Sequence, residues 1–396
     1  MKIMFAVPCY WPSQDGVTHI TRYLAEGLAA KGHEILVFTS TGNGGLQELP
    51  VSEVYQGVQI ERMRVYVRWP LRIRGRNAES SAKTYLRKVQ EWKPDVLIIV
   101  CAQSWTLDWM IPYLDKITCP KVFYSHGYSW LKEKYAIREK LKAGDFAGAW
   151  MEYRAERYYK NLHTVLAKFE LALYLLENNN ACLYAQKYGL VNGKVLENAI
   201  EDAFVSEELY HKAGENKTVQ FLCVANYNDN KNQKMLLEAF CDAEIENVRL
   251  VFAGFEENTY LDELRQLKDR RLQKGGKKDI FFRVHLSREE IYKLYRESDV
   301  FLCGSRLENA PIVHCEAAAT GMAIISTPVG NVKEMNGILI ASTGEELKEA
   351  MERLIGNRDE MRERGQQLRQ YILQKKCRTK DKVDWLEQEL EKLRGK

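Results

Sequence analysis

Ser305-Arg306-Leu307-Glu308-Asn309-Ala310-Pro311-Ile312-Val313-His314-Cys315-Glu316-Ala317-Ala318-Ala319-Thr320-Gly321-Met322-Ala323-Ile324-Ile325-Ser326-Thr327-Pro328-Val329-Gly330 decides the fold. With the apolar run Val300–Cys303 before it, the stretch reads as strand, polar loop, helix, glycine, strand and loop. Glu308 falls in the loop at the carboxyl end of a buried strand. Pro311 suits the first helical position, where its missing N–H would have no partner anyway. The amides around Asn309, Ala310, Ile312 and Val313 then point out of the helix start. They form an anion site of the kind that takes a diphosphate. Glu316 falls about one turn inside the helix, where its carboxylate can accept hydrogen bonds from the two hydroxyls of a ribose. Acidic residues also favour helix starts on electrostatic grounds alone, so neither glutamate is decisive singly.

The same alternation runs outward in both directions. Towards the C-terminal half, Val219–Ala225, Val248–Ala253, Ile280–Val284, Val300–Cys303 and Ala323–Ser326 read as strands. Asn232–Cys241, Arg288–Arg296 and Ile312–Thr320 read as helices. Towards the N-terminus, Lys2–Pro8, Glu34–Thr39, Asp95–Val100, Lys121–Tyr124, Thr164–Ala167 and Lys194–Leu196 are strand candidates. Thr18–Lys31 is a helix ended by Gly32, and 131–160 reads as helices. Short, wholly apolar strands between helices indicate parallel sheets covered on both faces. The fold class is α/β, with two Rossmann-like doubly wound domains facing across a cleft. Residues 1–201 form the first domain and 202–377 the second, joined by a polar linker over 201–217. The amphipathic helix at about 378–396 is expected to pack back on the first domain.

Composition bounds the function. With 396 residues, two domains are the natural expectation. No apolar run is long enough to span a bilayer, and the Met1–Pro8 run is too short for a signal peptide. The nine cysteines lack Cys-x-x-Cys spacing, and several sit in apolar runs, which suits reduced thiols in the cytoplasm. No His/Cys spacing suggests zinc, and no Asp-x-Asp suggests a metal-bridged substrate. The net charge of +4 is uneven: residues 1–200 carry 26 Lys and Arg against 19 Asp and Glu. The excess gathers in Arg62–Lys88, interleaved with Tyr66, Trp69 and Tyr85. It reads either as a solvated face or as a surface that meets an anionic acceptor or makes peripheral contact with an anionic membrane at its inner side. No nucleic-acid-binding module accompanies it.

The Glu308-x7-Glu316 spacing, the lead-in Leu294–Leu302 and the closing Thr327-Pro328-Val329-Gly330-Asn331 with Glu334 together resemble the retaining GT-B glycosyltransferases, family four in particular. That resemblance implies that Glu308 contacts the donor sugar and Glu316 the ribose of a nucleoside-diphosphate sugar. Asp15-Gly16 sits where the family has a glycine-rich loop, at which only a residue without a Cβ allows close backbone approach. Ser125-His126-Gly127 is similar to the family's His-Gly element near the reaction centre. Val224–Asn232 is similar to its Gly-Arg-Leu…Lys-Gly loop, so Lys231 takes the place of the lysine on the donor diphosphate. Asn226 stands where the family has an arginine, and His285 or Arg283 stands in place of a strand-end glycine. The resemblance implies a metal-independent transferase without a cofactor, catalysed through His126, Lys231 and Glu308. Gly16, Asn226, Lys231, Asn309, Ala310, Pro311, Ile312 and Glu316 would hold the nucleotide-sugar donor. The acceptor would be a glycan or lipid-linked hydroxyl in cell-surface biosynthesis. A catalytically weak GT-B partner subunit and a sugar-nucleotide epimerase remain open as alternatives. A nicotinamide oxidoreductase would need a Gly-x-Gly-x-x-Gly that neither domain's first strand is followed by.

Overall fold

The computed structural model describes residues 1–13, 15–41, 49–65, 78–211, 213–215, 217–273 and 278–394. The chain divides into two compact units, Met1–Glu197 with Thr379–Lys396, and Asn198–Arg378.

The first unit is built on strands β1 (Lys2–Ala6), β2 (Glu34–Ser40), β3 (Ser52–Tyr55), β4 (Val58–Met63), β5 (Val96–Val100), β6 (Lys121–Tyr124), β7 (Leu171–Tyr174) and β8 (Gly193–Val195). They lie in the order β3-β4-β2-β1-β5-β6-β7-β8. All neighbours run parallel except β3 and β4. Every residue of β5, β6 and β7 is buried, as expected of strands covered on both faces.

The second unit holds β9 (Val219–Val224), β10 (Val248–Ala253), β11 (Asp279–Arg283), β12 (Val300–Cys303), β13 (Ala323–Ser326) and β14 (Leu339–Ile340). These are all parallel, in the order β11-β10-β9-β12-β13-β14. The sequence order of the strands reverses between β9 and β12. The carboxyl edge of the sheet at that reversal, where the loops leaving those two strands lie, is the usual place for a ligand crevice in such a fold. In the first unit the corresponding place lies between β1 and β5.

Several sequence expectations are corrected. Thr164–Ala167 is not a strand. It closes helix Phe146–Leu166, whose Ala155, Tyr159, Leu162 and Leu166 bury one continuous stripe, and the strand is Leu171–Tyr174. The stretch 201–217 is not a free linker: Phe204 is fully buried and packs on Tyr292 and Tyr295. The second unit therefore begins before residue 202. Ile200 N–H donates to Cys377 O at 2.9 Å, and Asn198 Nδ2 donates to Ala310 O at 2.7 Å. Helix Thr379–Arg394 packs on helix Gly16–Ala30 so closely that a Cβ at Gly27 would lie 2.6 Å from Val383. Lys31 pairs there with Asp384 and Glu387 at 2.5 and 2.6 Å.

The basic stretch also changes character. Arg62 is buried, with its guanidinium donating to Pro50 O, Trp11 O and the Glu53 carboxylate. Lys88 pairs with Glu61 and Lys83 with Glu79, and Tyr85 is a core residue against Phe38 and Trp105. Tyr66, Arg68, Trp69, Arg72, Arg74 and Arg76 lie outside the described residues. No described helix is long and apolar enough to cross a membrane.

Candidate functional site

The loops after β9 and β12 meet at the crevice of the second unit. Arg306 N–H donates to Asn230 O at 2.7 Å, and Asn230 Nδ2 donates to Leu307 O at 3.0 Å. Lys231 Nζ reaches Glu308 Oε1 at 2.5 Å. Asn232 takes a left-handed φ of 51° and turns the chain into helix Gln233–Asp242, a conformation that asparagine tolerates better than most residues. Gln233 Nε2 then donates back to Asn226 O at 3.0 Å. Gly304 lies where the two loops close up: a Cβ there would sit 3.0 Å from both Asn232 O and the Leu236 side chain, a tight contact. The Asn226 side chain is exposed and brings no charge to the site.

Helix Ile312–Ala319 starts beside Glu308. Pro311 is its N-cap (φ −69°, ψ 117°) rather than its first helical residue, one position earlier in the helix than the sequence reading. No side chain caps this start and its first turn holds no acidic residue. The amides of Ile312 and Val313 thus face the crevice at the positive end of the helix. Gly330, at φ 56°, locks the Asn309–Pro311 segment from behind: a Cβ there would lie 2.6 Å from Pro311 Cδ and 3.2 Å from Asn309 O. Ala310 is tied by its carbonyl to Asn198. His285, where a strand-end glycine was expected, adopts a φ of 54°. The position keeps the backbone that a glycine would supply.

Glu316 is buried, 5% exposed, and each oxygen of its carboxylate has one donor, from partners that sequence reasoning missed. Tyr295 OH donates to one oxygen at 2.7 Å and Arg288 Nη2 to the other at 3.1 Å. Arg288 is shared with Glu201 at 2.7 Å, lies over the rings of Phe204 and Tyr292, and Tyr292 OH donates to Glu201. Burial works against the charged guanidinium, but Glu316 and Glu201 outweigh it and push its pKa well up. A buried carboxylate persists only with such partners. No spacing rule connects positions 201, 288 and 316. The only local signal was Tyr295, inside the lead-in helix already singled out.

In the first unit, Asp15 caps helix Gly16–Ala30. Burial raises its carboxyl pKa, yet the donors Cys9, Thr18 and Ser13 hold it below the usual carboxylate range. Gly16 is the first helical residue rather than part of a turn, has no left-handed φ, and a Cβ there would touch nothing within 4 Å. Its own chain does not demand glycine there, and the space beside its Cα is open. His126 follows β6, with its ring 4.6 Å from that of Tyr124. Burial drives its pKa down to about 4, against the pull of Asp15. His126 is therefore a neutral imidazole at pH 7 and contributes no cationic charge. Of the expected site residues, the fold gathers Lys231, Glu308, Asn309, Ala310, Pro311 and Ile312 around one crevice, with Glu316 a turn further along the same helix. Asn226 lies at its margin. Gly16 and His126 belong to the other unit.

Comparison with known proteins follows this division. Residues 14–167 match the model described as Glycosyltransferase Family 4, and residues 196–371 match Glycosyl transferases group 1. No curated protein matches the chain. Among solved structures, sucrose-phosphate synthase from Thermosynechococcus elongatus superposes with a TM-score of 0.73 at 13% identity, over 99% of this chain and 98% of that one. A glycosyltransferase from Rickettsia africae gives 0.71 at 13% identity, over 99% and 98% of the two chains. Anabaena HepE, solved in complex with UDP, gives 0.70 at 15% identity, over 99% and 100%. At these identities the likeness is one of fold.

Proposed function

We propose that this chain, which belongs to the GT-B glycosyltransferases of the family-four type, moves a sugar from a nucleoside-diphosphate donor to an acceptor hydroxyl with retention at the anomeric carbon. The observation that carries this reading is the Lys231–Glu308 pair beside the uncapped start of helix Ile312–Ala319, at the sheet's reversal point. The diphosphate would take the helix amides and Lys231 Nζ. Lys231 would then exchange Glu308 for phosphate, freeing the carboxylate for the hydroxyls of the donor sugar. Glu316, oriented by Tyr295 and Arg288, would accept from the ribose hydroxyls.

In the reaction the acceptor oxygen bonds to the anomeric carbon on the face from which the phosphate oxygen departs. The C–O bond to phosphate breaks with its electron pair, and the acceptor proton passes to the departing phosphate. Glu316 would serve binding rather than act as one of the paired carboxylates of glycoside hydrolysis. Charge growing on the leaving group would be met by Lys231 and the helix amides rather than by a metal. Neutral His126 would contribute a hydrogen bond. With Asn226 in place of an arginine, one cation fewer faces the leaving group, which favours slow turnover and keeps the reading of a weakly active partner subunit alive. The acceptor in our reading is a hydroxyl of a glycan or lipid-linked glycan assembled on the cytoplasmic side of a membrane.

Support for a nucleotide-sugar donor also comes from neighbours solved with UDP and UDP-glucose. The test is nucleoside diphosphate release across a panel of donors and acceptors, with the anomeric configuration of the product read by NMR. Release without an acceptor, yielding an epimerised nucleotide sugar, would replace this reading by the epimerase. Binding without turnover would replace it by the partner subunit.

A further inference from the structure

A helix on the surface of a globular protein normally turns its polar side to water. Helix Phe146–Leu166 of the first unit departs from this over its first two turns. Its inner stripe, Ala149, Ala155, Tyr159 and Leu162, is buried. Its outer stripe is apolar as well: Phe146 is 71% exposed, Trp150 60%, and Tyr153 follows at 41%. The spacing i, i+4, i+7 puts the three rings in one row, and Trp150 stacks on Tyr153 with centroids 5.6 Å apart. Leu141, at the end of helix Ile137–Lys142, is also largely exposed. The corner joining the two helices is fixed rather than loose. Asp145 caps the second helix by accepting from Gly148 N at 2.8 Å, and it pairs with Lys140 at 2.7 Å.

The sequence around this row is rich in cations. Residues 132–160 hold eight Lys and Arg against five Asp and Glu. Two of those acids are spent inside the fold, Asp145 on its cap and on Lys140, and Glu152, which is buried, on Lys132. Arg138, Lys142 and Arg157 are exposed. Aromatic side chains with an adjoining Lys/Arg excess match the level of lipid headgroups, where rings enter the boundary with the acyl chains and cations meet anionic phosphates. A protein partner would also use Trp and Tyr, but protein interfaces are depleted of lysine.

We propose that the face carrying Leu141, Phe146, Trp150 and Tyr153 docks on an anionic phospholipid surface, with Arg138, Lys142 and Arg157 meeting the headgroups. Its residues are other than those of Arg62–Lys88, several of whose charges are neutralised within the fold. It does not depend on the transfer reaction proposed above.

The full-length chain is mixed with phosphatidylcholine vesicles, with and without 30% phosphatidylglycerol, and recovered by flotation. Binding is expected only with phosphatidylglycerol and should weaken as salt is raised. Replacing Phe146 and Trp150 together by alanine is expected to weaken binding about tenfold or more, with circular dichroism and nucleotide binding unchanged. Should that double variant fail to fold, R138E/K142E supplies the same test from the charged side. The difference between wild-type and Trp150→Phe fluorescence should shift to the blue on vesicles. Failure to float with phosphatidylglycerol, or equal flotation of the folded variants, overturns the proposal. So does a concentration-dependent dimer, formed without vesicles and abolished by Trp150→Ala, which would assign the face to a second copy of the chain.

Discussion

Arg288→Met separates a binding carboxylate from its main partner while keeping a long side chain over Phe204 and Tyr292. The guanidinium is 2.7 Å from Glu201 and 3.1 Å from Glu316. Without it, Glu316 keeps only the Tyr295 hydroxyl. Breaking a fully buried ion pair by removing one partner costs about 3–5 kcal/mol, and an exposed pair is worth about 0.2–1 kcal/mol. The Glu316 side chain is 7% exposed but that of Arg288 39%, so the loss should fall between those limits, at about 2 kcal/mol. If that energy is what holds Glu316 in place for a ribose, nucleotide affinity falls about 30-fold, at 1.4 kcal/mol per decade. Titration calorimetry with nucleoside diphosphates reads the affinity, and thermal unfolding reads the stability. Arg288→Lys should recover part of both. A folded Arg288→Met protein that loses stability yet binds nucleotide with wild-type affinity would refute the reasoning, because Glu316 would then not be a ribose ligand.

Lys231→Met leaves Glu308 without its cation and is expected to lower nucleoside diphosphate release by about 100-fold, the usual scale for one leaving-group stabiliser; wild-type turnover would remove Lys231 from the diphosphate. Gly330→Ala places a Cβ 2.6 Å from Pro311 Cδ on a left-handed backbone. It should cost about 1–2 kcal/mol from the backbone alone, lower Tm and weaken nucleotide binding by disturbing the helix start, so an unchanged Kd would count against that start as the diphosphate site. His126 gives a pH dependence. Its folded pKa of about 4 lies below the usual histidine value, so the unfolded chain takes up the proton first as pH falls. The stability from keeping His126 neutral is complete above about pH 6.5 and declines as pH falls towards 4, by about 2 kcal/mol at pH 5. Urea unfolding at pH 7 and pH 5 should show this decline in the wild type and a smaller one in His126→Asn, and equal declines would show that His126 is not buried neutral.

Much of the architecture was legible because it is written locally. Runs such as Leu97-Ile98-Ile99-Val100 are wholly apolar because their strands are covered on both faces, and Gly32 and Pro311 mark helix ends through backbone restrictions that need no distant partner. Reading failed where a local signal was ambiguous. Thr164–Ala167 is apolar enough for a strand, yet it continues a helical stripe begun at Ala149. The polarity of 201–217 suggested a linker, but one ring, Phe204, anchors its start in the core. Asp15-Gly16 read as a turn, but Asp15 caps a helix that Gly16 begins.

The sequence by itself determined that two parallel α/β units would form, and that Glu308 and the start of helix Ile312–Ala319 would stand at the carboxyl end of a strand. Both follow from side-chain period and from φ restrictions, which act within a few residues. Only the tertiary structure decided that β12 lies beside β9, so that Lys231 meets Glu308 across 77 positions, and that Arg288 divides itself between Glu201 and Glu316. Ion pairs have no period along a chain. A buried charge is satisfied by whichever group the fold brings within about 3 Å, and that choice belongs to the order of the strands.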